Sequence, residues 1–235
     1  MNEANTARHV VITGAAGALG RAVVQHFLDQ GARVALIDHR MAHLMAVFPG
    51  LDNSQHLLVE ADVTSVPAMA DAARGILSTF KHVDALVHIA GGFEMGDAVH
   101  ALDRAAWDRM MNLNAWSFVA VTQALVPSMI ERKSGSVVAV SAKTASHGLA
   151  AMSAYIASKS ALQRLVEASA AELKEHGIRV NSIAPSVLDT PANRSAMPRA
   201  DPAGWVSTSV AAQTIGFLVS PAAEALHGQH LMLDA

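Results

Sequence analysis

One segment near the amino end constrains the fold more than any other part of this chain. Residues His9–Thr13 form a short run rich in β-branched side chains, which favours a β-strand. The glycine-rich sequence 14–20 follows directly, and residues 21–30 then carry apolar side chains at helical spacing as far as Gly31. A strand, a glycine turn and a helix in this order begin a parallel α/β sheet.

The rest of the chain repeats this alternation. Further strands are predicted at 33–37, 57–59, 84–90, 137–140 and 179–183, and later helices at 67–80, 107–131 and 153–174. The chain has 235 residues, of which 51% are hydrophobic and 16% charged, so it can bury one sizeable core. The sequence therefore predicts an α/β fold with a single domain over residues 1–235, a doubly wound (Rossmann) parallel sheet flanked by helices.

Composition argues against several kinds of partner and site. The formal net charge is -3 and the seventeen Lys and Arg residues are dispersed, so no basic surface for nucleic acid is expected. The chain has no cysteine, residues 1–9 lack the apolar core of a signal peptide, and no run reaches the ~18 apolar residues of a membrane span. The twelve histidines are scattered with no ligand-like pair near a carboxylate, so no metal site is predicted. We expect a cytoplasmic protein that binds neither nucleic acid nor membrane.

The glycine turn and the end of the second strand predict a dinucleotide site. Such a turn lets the main chain approach a pyrophosphate and points helix N–H groups at it. Asp38 follows the second strand, where its carboxylate can accept hydrogen bonds from a ribose diol and repel a 2′-phosphate. NAD(H) is therefore favoured over NADP(H), although Arg40 could turn towards a phosphate instead. At later strand ends, Asp62 can read an adenine amino group, and Gly91 and Gly92 leave room for a cofactor.

The only tyrosine in the chain lies four residues before a lysine in a predicted helix. Residues four apart share a helix face, so Tyr155 and Lys159 are expected side by side. An ammonium close to a phenol lowers the tyrosine pKa from about 10, which creates a proton donor or acceptor near neutral pH. The plainer alternative is a tyrosine with an ordinary hydrogen-bond partner beside a lysine that extends to solvent. The dinucleotide site favours the catalytic interpretation.

Together with Asn114 and Pro185, these motifs resemble the short-chain dehydrogenase/reductase family over nearly the whole chain. The resemblance implies that Tyr155 is the acid/base, that Lys159 holds the nicotinamide ribose and tunes Tyr155, and that Asn114 anchors a proton-relaying water. It also implies that Thr190 holds the nicotinamide carboxamide. The implied cofactor-binding residues are Gly14, Gly17, Ala18, Leu19, Gly20, Asp38, Asp62, Val63, Ala90, Gly91, Gly92, Tyr155, Lys159, Pro185, Leu188 and Thr190.

Two departures from the family pattern concern the cofactor side. Ala18 replaces the middle glycine of the turn, so one methyl group must fit beneath the pyrophosphate. His88 and Ile89 stand where the family has two asparagines, one of which braces the sheet. The chain therefore loses an asparagine that braces the sheet.

A third departure concerns catalysis. Ala142 occupies the position of the family's catalytic serine, thirteen residues before Tyr155. Ser141 precedes it, and on a strand its side chain is expected on the opposite face. Either a local shift brings in Ser141 or Thr144, or the reaction proceeds without a hydroxyl at this point.

Three functions stay open at the level of sequence. The leading hypothesis is an NAD(P)-dependent oxidoreductase that transfers hydride between nicotinamide and a small carbonyl, alcohol or conjugated substrate. Ala142 and the Ala-Gly-Gly sequence after the fourth strand resemble the quinonoid dihydropteridine reductase branch, which makes a quinonoid pterin an alternative substrate. The third is a catalytically weak NAD(H)-binding sensor or regulatory subunit, which has no need of the acid Tyr155.

The substrate side and subunit contacts are predicted from later segments. A short substrate loop is expected at about residues 186–206, and the predicted pocket walls are Phe93, Met95, His147, Met152 and Trp205. The two long helices, 107–131 and 153–174, carry more apolar side chains than packing on one sheet face needs. In the family such helices pair subunits, so a homodimer or homotetramer is expected.

Overall fold

The computed structural model describes residues 8–51 and 55–235, and it confirms the predicted α/β fold. The strands are β1 (His9–Thr13), β2 (Arg33–Asp38), β3 (Leu57–Glu60), β4 (Ala85–His88), β5 (Gly135–Val140), β6 (Ile178–Pro185), β7 (Leu188–Asp189), β8 (Val206–Ser207) and β9 (His230–Leu233). The α-helices are α1 (Ala18–Asp29), α2 (Met41–Val47), α3 (Val66–Phe80), α4 (Arg104–Met111), α5 (Ser117–Arg132), α6 (Ser153–Leu173), α7 (Pro191–Ala196) and α8 (Thr208–Val219). Residues 1–7, part of the segment examined for a signal peptide, lie outside the described residues.

Seven strands form one parallel sheet in the order β3-β2-β1-β4-β5-β6-β9, while β7 and β8 pair separately. Helices cover both faces of the large sheet. On one face, α3 and α5 bury Phe80 and Leu125 against the strands, and on the other, α1 and α8 bury Phe27 and Ile215. Burial on both faces explains why β1 is apolar almost throughout rather than alternating.

The strand order reverses between β1 and β4, which opens a crevice at their carboxyl ends. Ligands of open α/β sheets bind at such reversal points. Thr13 at the end of β1 pairs in register with Ile37 of β2 and His88 of β4, so the three strands end at nearly the same level. The residues that follow these strands therefore face one another across the crevice.

The structure differs from the predicted elements in three respects. β9 adds a seventh strand, and α2, α7 and α8 were not predicted. The single helix predicted at 107–131 is instead α4, a π-helical turn at Asn112–Trp116 and then α5. The predicted substrate loop at 186–206 contains β7, α7 and the start of β8.

The continuous helical stretch Arg104–Arg132 is long and apolar enough to cross a membrane by length and composition alone. The expectation that no segment qualifies is therefore wrong. In the most apolar 18 residues of this stretch, 50% are buried inside the protein, because α5 packs against α3 and the sheet. This burial is that of a core helix.

Candidate active site

The glycine turn between β1 and α1 has the close approaches that a pyrophosphate site needs. Gly14 has a φ of +65°, and a Cβ there would lie only 2.9 Å from Ala90 N. A Cβ on Gly20 would lie 2.2 Å from Gly14 O. Gly17 begins α1 without a side-chain cap, so the first amides of this helix have no side-chain acceptor. These features fit a phosphate group at the start of α1.

The two residues that complete this turn lie on opposite sides of it. Ala18 is exposed, whereas Leu19 is buried in the core beneath α1. The methyl group that departs from the family pattern is therefore at the surface of the turn. It does not fill the space inside the turn.

Asp38 ends β2 and contacts the glycine turn directly. Its Oδ2 accepts a hydrogen bond from Ala16 N at 3.1 Å, and its Oδ1 accepts from His39 N at 2.9 Å. The carboxylate is 8% exposed, so these bonds hold it in place. Arg40 is exposed, and its Nη2 lies 3.1 Å from His43 Nδ1. The structure thus fixes Asp38 at the turn and engages Arg40 elsewhere.

The end of β3 carries the residues predicted to contact adenine. Asp62 is exposed, and its Oδ1 accepts from the main-chain nitrogen and the hydroxyl of Thr64 at 2.9 and 2.7 Å. Val63 is buried beside it. Trp116 donates from Nε1 to Thr64 O at 3.1 Å, which joins this strand end to the π-helical turn.

Two of the three predicted catalytic residues, Asn114 and Lys159, come together at Gly91. A Cβ on Gly91 would lie 2.8 Å from Asn114 Oδ1 and 3.1 Å from Lys159 Nζ. Asn114 is fully buried; its Oδ1 accepts from Gly92 N at 2.9 Å, and its Nδ2 donates to Gly92 O at 3.0 Å and to Ser158 Oγ at 2.9 Å. The amide of Asn114 is thus committed to the protein. A relay water would therefore bind either the main-chain carbonyl of Asn114 or the remaining lone pair of its Oδ1.

Tyr155 and Lys159 lie one turn apart on α6. Lys159 is 5% exposed and donates from Nζ to Val140 O at 2.8 Å. Burial lowers the pKa of Lys159 to about 8 and raises the pKa of Tyr155 to about 12. Phe93 contributes to this burial, because its ring meets the Tyr155 ring edge-on at 4.9 Å. The expected lowering of the tyrosine pKa is therefore wrong for this structure, since desolvation of the phenol dominates.

The two hydroxyls predicted as substitutes for the missing serine differ in availability. Ser141 is 3% exposed, and its hydroxyl donates to Lys159 O at 3.3 Å, so it points into the core. Ala142 is buried with extended backbone. Thr144 is half-buried in the following 3₁₀ turn, and its hydroxyl has no hydrogen bond to a described residue. Thr144 is therefore the available one of the two.

The segment after β6 carries the residues predicted on the nicotinamide side. Pro185 ends β6 and is buried. Leu188 O accepts from Asn193 Nδ2 at 2.8 Å, and Thr190 Oγ1 accepts from Asn193 N at 3.2 Å. The Thr190 hydroxyl caps α7 as an acceptor only, which leaves its proton available to a ligand.

Comparison with known proteins shows which family this chain belongs to. The family described as short chain dehydrogenase matches residues 8–201. This chain belongs to the short-chain dehydrogenase family. The match covers most of the chain and includes the glycine turn, Asn114, Tyr155 and Lys159.

The matches to relatives and solved structures differ in how much of each protein they cover. Dehydrogenase/reductase SDR family member 7B of Bos taurus is 36% identical over 192 residues, which are 77% of this chain and 58% of that protein. D-threitol dehydrogenase of Mycolicibacterium smegmatis is 30% identical over 236 residues, 95% of this chain and 90% of that protein. The crystal structure of gox2181 has a TM-score of 0.90 at 25% identity, covering 97% and 94% of the two chains. The chain therefore spans 58% of the first relative and nearly all of the other two.

A cleft opens between α4, the segment after β4 and the start of α6. Met95 and Met152, two of the predicted walls, line it together with Met110. Ser153 also lines it, and its buried Oγ has no hydrogen bond to a described residue. The other predicted wall residues lie outside this lining: Phe93 contacts Tyr155, His147 is exposed beside Ser146, and Trp205 is half-buried.

The structure brings together histidines that the sequence left scattered. Two groups have potential ligand atoms within 4.8 Å of one another: His9, His82 and Asp84, and Asp38, His39 and His43. The expectation of no such group near a carboxylate is therefore wrong. In both groups the carboxylate already accepts main-chain hydrogen bonds, and Asp84 also pairs with Arg132 at 3.0 Å. Both carboxylates therefore already have partners within the protein.

His88 forms hydrogen bonds across the sheet in place of the asparagine that the chain lacks. It ends β4 and is 1% exposed. Its Nδ1 lies 2.9 Å from Thr13 Oγ1, and its Nε2 lies 3.0 Å from Ser117 Oγ. The imidazole thus connects β1, β4 and α5. A histidine ring carries two nitrogens, and each has a hydrogen-bond partner here.

Proposed function

We propose that this dehydrogenase transfers hydride between NAD(H) and a small carbonyl or alcohol, with Tyr155 as the acid/base. The observation that carries the proposal is the convergence of Asn114 Oδ1 and Lys159 Nζ at Gly91, with Tyr155 one helical turn from Lys159. When bound, the nicotinamide supplies or accepts the hydride at its ring. The protein residues bind, orient and transfer the proton.

The chain's own residues suit the parts of such a cofactor. The uncapped amides of α1 suit the pyrophosphate, and Asp38 suits the ribose diol of the adenosine half. Lys159 is assigned to the nicotinamide ribose and Thr190 to the carboxamide. The fixed carboxylate of Asp38, together with the engagement of Arg40 by His43, supports NAD(H) over NADP(H).

The proton step follows from the protonation states of the two buried groups. In reduction, the Tyr155 hydroxyl gives its proton to the substrate oxygen as hydride reaches the carbon, and a phenolate remains. A pKa of about 12 keeps Tyr155 protonated before this step but disfavours the phenolate. The Lys159 ammonium is the group placed to offset that cost, since each pKa unit corresponds to ~1.4 kcal/mol. Asn114 and water then return a proton to Tyr155.

Ala142 favours a second candidate substrate class, a quinonoid pterin. A hydroxyl at this position would polarise a carbonyl, and removing one such donor costs about 100-fold or more in rate. The Ser141 hydroxyl is committed to Lys159 O and does not replace it. A conjugated substrate that is already electron-poor needs this polarisation least. Thr144 is the alternative source of a hydroxyl for ordinary ketones.

The test is NADH consumption over ketones, quinones and a quinonoid pterin by the wild type and two variants. Tyr155→Phe keeps the ring but removes the phenol, so turnover should fall about 100-fold or more while the Kd of NADH changes little. Full activity of Tyr155→Phe would overturn the mechanism.

Ala142→Ser should gain ketone reduction without improving the pterin reaction if the pterin is the substrate. NADH binding without turnover on any compound would instead favour the sensor hypothesis.

A further inference from the structure

The neighbours of His88 fix the direction of the hydrogen bond on its Nε2 side. Ser117 Oγ donates to Leu113 O at 2.6 Å, so it accepts from His88 Nε2 at 3.0 Å. On the other side, Thr13 Oγ1 accepts from Ala90 N at 3.3 Å and lies 2.9 Å from His88 Nδ1. The Ser117 side therefore requires a proton on Nε2, and in a neutral ring Nδ1 accepts from Thr13 Oγ1.

Burial and charge hold the ring in this form. The ring is enclosed, and desolvation together with the nearby Lys159 ammonium lowers the pKa of His88 to about 3. The side chains that contact it from other elements are uncharged: Thr13 from β1, and Ser117 and Phe118 from α5. Lys159 on α6 is the charged group that acts on it. The imidazole therefore serves as a fixed donor and acceptor rather than as an acid or base.

We propose that His88 is a positioning residue that sets the separation of the two segments which meet at Gly91. The first segment is the end of β4. Through Thr13, His88 holds the main-chain nitrogen of Ala90, the residue immediately before Gly91. Displacing Ala90 would move Gly91 relative to Lys159 Nζ, which a Cβ on Gly91 would approach to 3.1 Å.

The second segment is the π-helical turn. Through Ser117, His88 holds the carbonyl of Leu113, the residue immediately before Asn114. In this turn the Ser117 main-chain nitrogen donates to Asn112 O rather than to Leu113 O, so the Ser117 hydroxyl takes over the Leu113 carbonyl. The same side chain thus satisfies the widened turn and ties it to β4.

Two variants of His88 test its contact with Thr13 and its contact with Ser117 separately. In His88→Asn, the amide oxygen replaces the Nδ1 acceptor for Thr13, but the shorter side chain does not reach Ser117. In His88→Gln, the amide nitrogen replaces the Nε2 donor to Ser117, but Thr13 loses its acceptor. We expect His88→Asn to bind NADH like the wild type and lose about 10-fold or more in kcat, because Asn114 is displaced. We expect His88→Gln to keep more of kcat. It should bind NADH about 10-fold more weakly, because the hydrogen bond between Thr13 and residue 88 is lost and Ala90 is no longer held in place.

The control is His9→Asn, at the opposite end of β1. His9 is also buried, at 8% exposure, and its Nδ1 donates to His82 O at 3.2 Å, away from the candidate site. A brace that serves only the fold would lower the melting temperature in all three variants without separating kcat from the Kd of NADH. That result, or the same separation in His9→Asn, would overturn the proposal.

The expected change in kcat rests on the proposed function. A second measurement does not depend on that function. Nitrogen NMR of histidine in the protein without substrate should show His88 as the neutral Nε2–H form at about pH 5, where exposed histidines are protonated. A charged ring or an Nδ1–H form would overturn the proposal even if the enzyme is fully active. If the wild type turns over no substrate, the proposed function fails while the NMR and NADH-binding results still decide the role of His88.

Discussion

At the scale of single residues, burial sets the protonation states of the proposed acid and its partner. Burial raises the pKa of Tyr155 to about 12 and lowers that of Lys159 to about 8, so near pH 7 Tyr155 is neutral and Lys159 is still a cation. The Lys159 ammonium that stabilises a phenolate is present below pH 8 and is lost as the pH rises above it. We therefore predict that kcat/KM for reduction falls through an apparent pKa of about 8, while Tyr155 stays protonated.

The chain offers a direct readout, because Tyr155 is its only tyrosine. Phenolate absorbance of the free protein should not appear before about pH 10, the value for an unperturbed tyrosine. Lys159→Arg keeps a cation at all working pH values, so the fall in kcat/KM near pH 8 should disappear in this variant. Phenolate formation well below about pH 10 would show that Tyr155 itself titrates and would contradict the prediction.

Cofactor choice also belongs to single residues. A 2′-phosphate beside the fixed Asp38 carboxylate brings two negative charges together, so NADH should bind at least about tenfold more tightly than NADPH. Asp38→Asn removes the charge but can keep an acceptor for Ala16 N. The difference in affinity between NADH and NADPH should therefore become smaller. Titration of protein fluorescence with each cofactor measures both constants. Equal constants in the wild type would instead assign the phosphate to Arg40, and Arg40→Ala would test this.

At the scale of elements, the end of β4 and the π-helical turn are packed too closely for any side chain at Gly91. Gly91→Ala places a Cβ 2.8 Å from Asn114 Oδ1 and 3.1 Å from Lys159 Nζ, so we expect about 100-fold or more loss of turnover. Gly75→Ala in α3 is the matched control, since a Cβ there meets nothing within 4 Å. That variant should keep activity and gain up to ~1 kcal/mol in the free energy of unfolding. Equal activity of the two variants would contradict the prediction.

The elements also show where reasoning from sequence reaches its limit. The runs at β1 and β2 were predictable because β-branched residues buried on both faces leave a continuous apolar signal. The π-helical turn was not, because one extra residue does not disturb apolar spacing over a long helix. β9 was missed because His230–Leu233 has no β-branched residue. At the site, spacing predicted that Tyr155 and Lys159 share a face, but the direction of the tyrosine pKa shift depends on burial by residues distant in sequence.

At the scale of the whole molecule, the helices that cover the sheet leave apolar side chains at the surface. Trp107 on α4 is 36% exposed, and Trp116 in the π-helical turn is 43% exposed even though its Nε1 is bonded to Thr64 O. Two partly exposed tryptophans on one helical stretch are unusual for a surface that faces only water. A second apolar area lies on the other face of the sheet, at Phe217 on α8, which is 43% exposed.

We predict that the dehydrogenase forms a homodimer or homotetramer, with the stretch 107–131 and α6 at one interface. Light scattering at micromolar concentration should return two or four chains, and Trp116→Glu should lower the mass by placing an unpaired charge in that interface. Phe217→Glu serves as the matched variant on the other apolar area. A tetramer that becomes a dimer in Phe217→Glu would assign the second area to a further interface, whereas no change would leave a dimer built from the helices alone. A monomeric wild type would contradict the prediction, and the exposed tryptophans would then belong to the surface of a single chain.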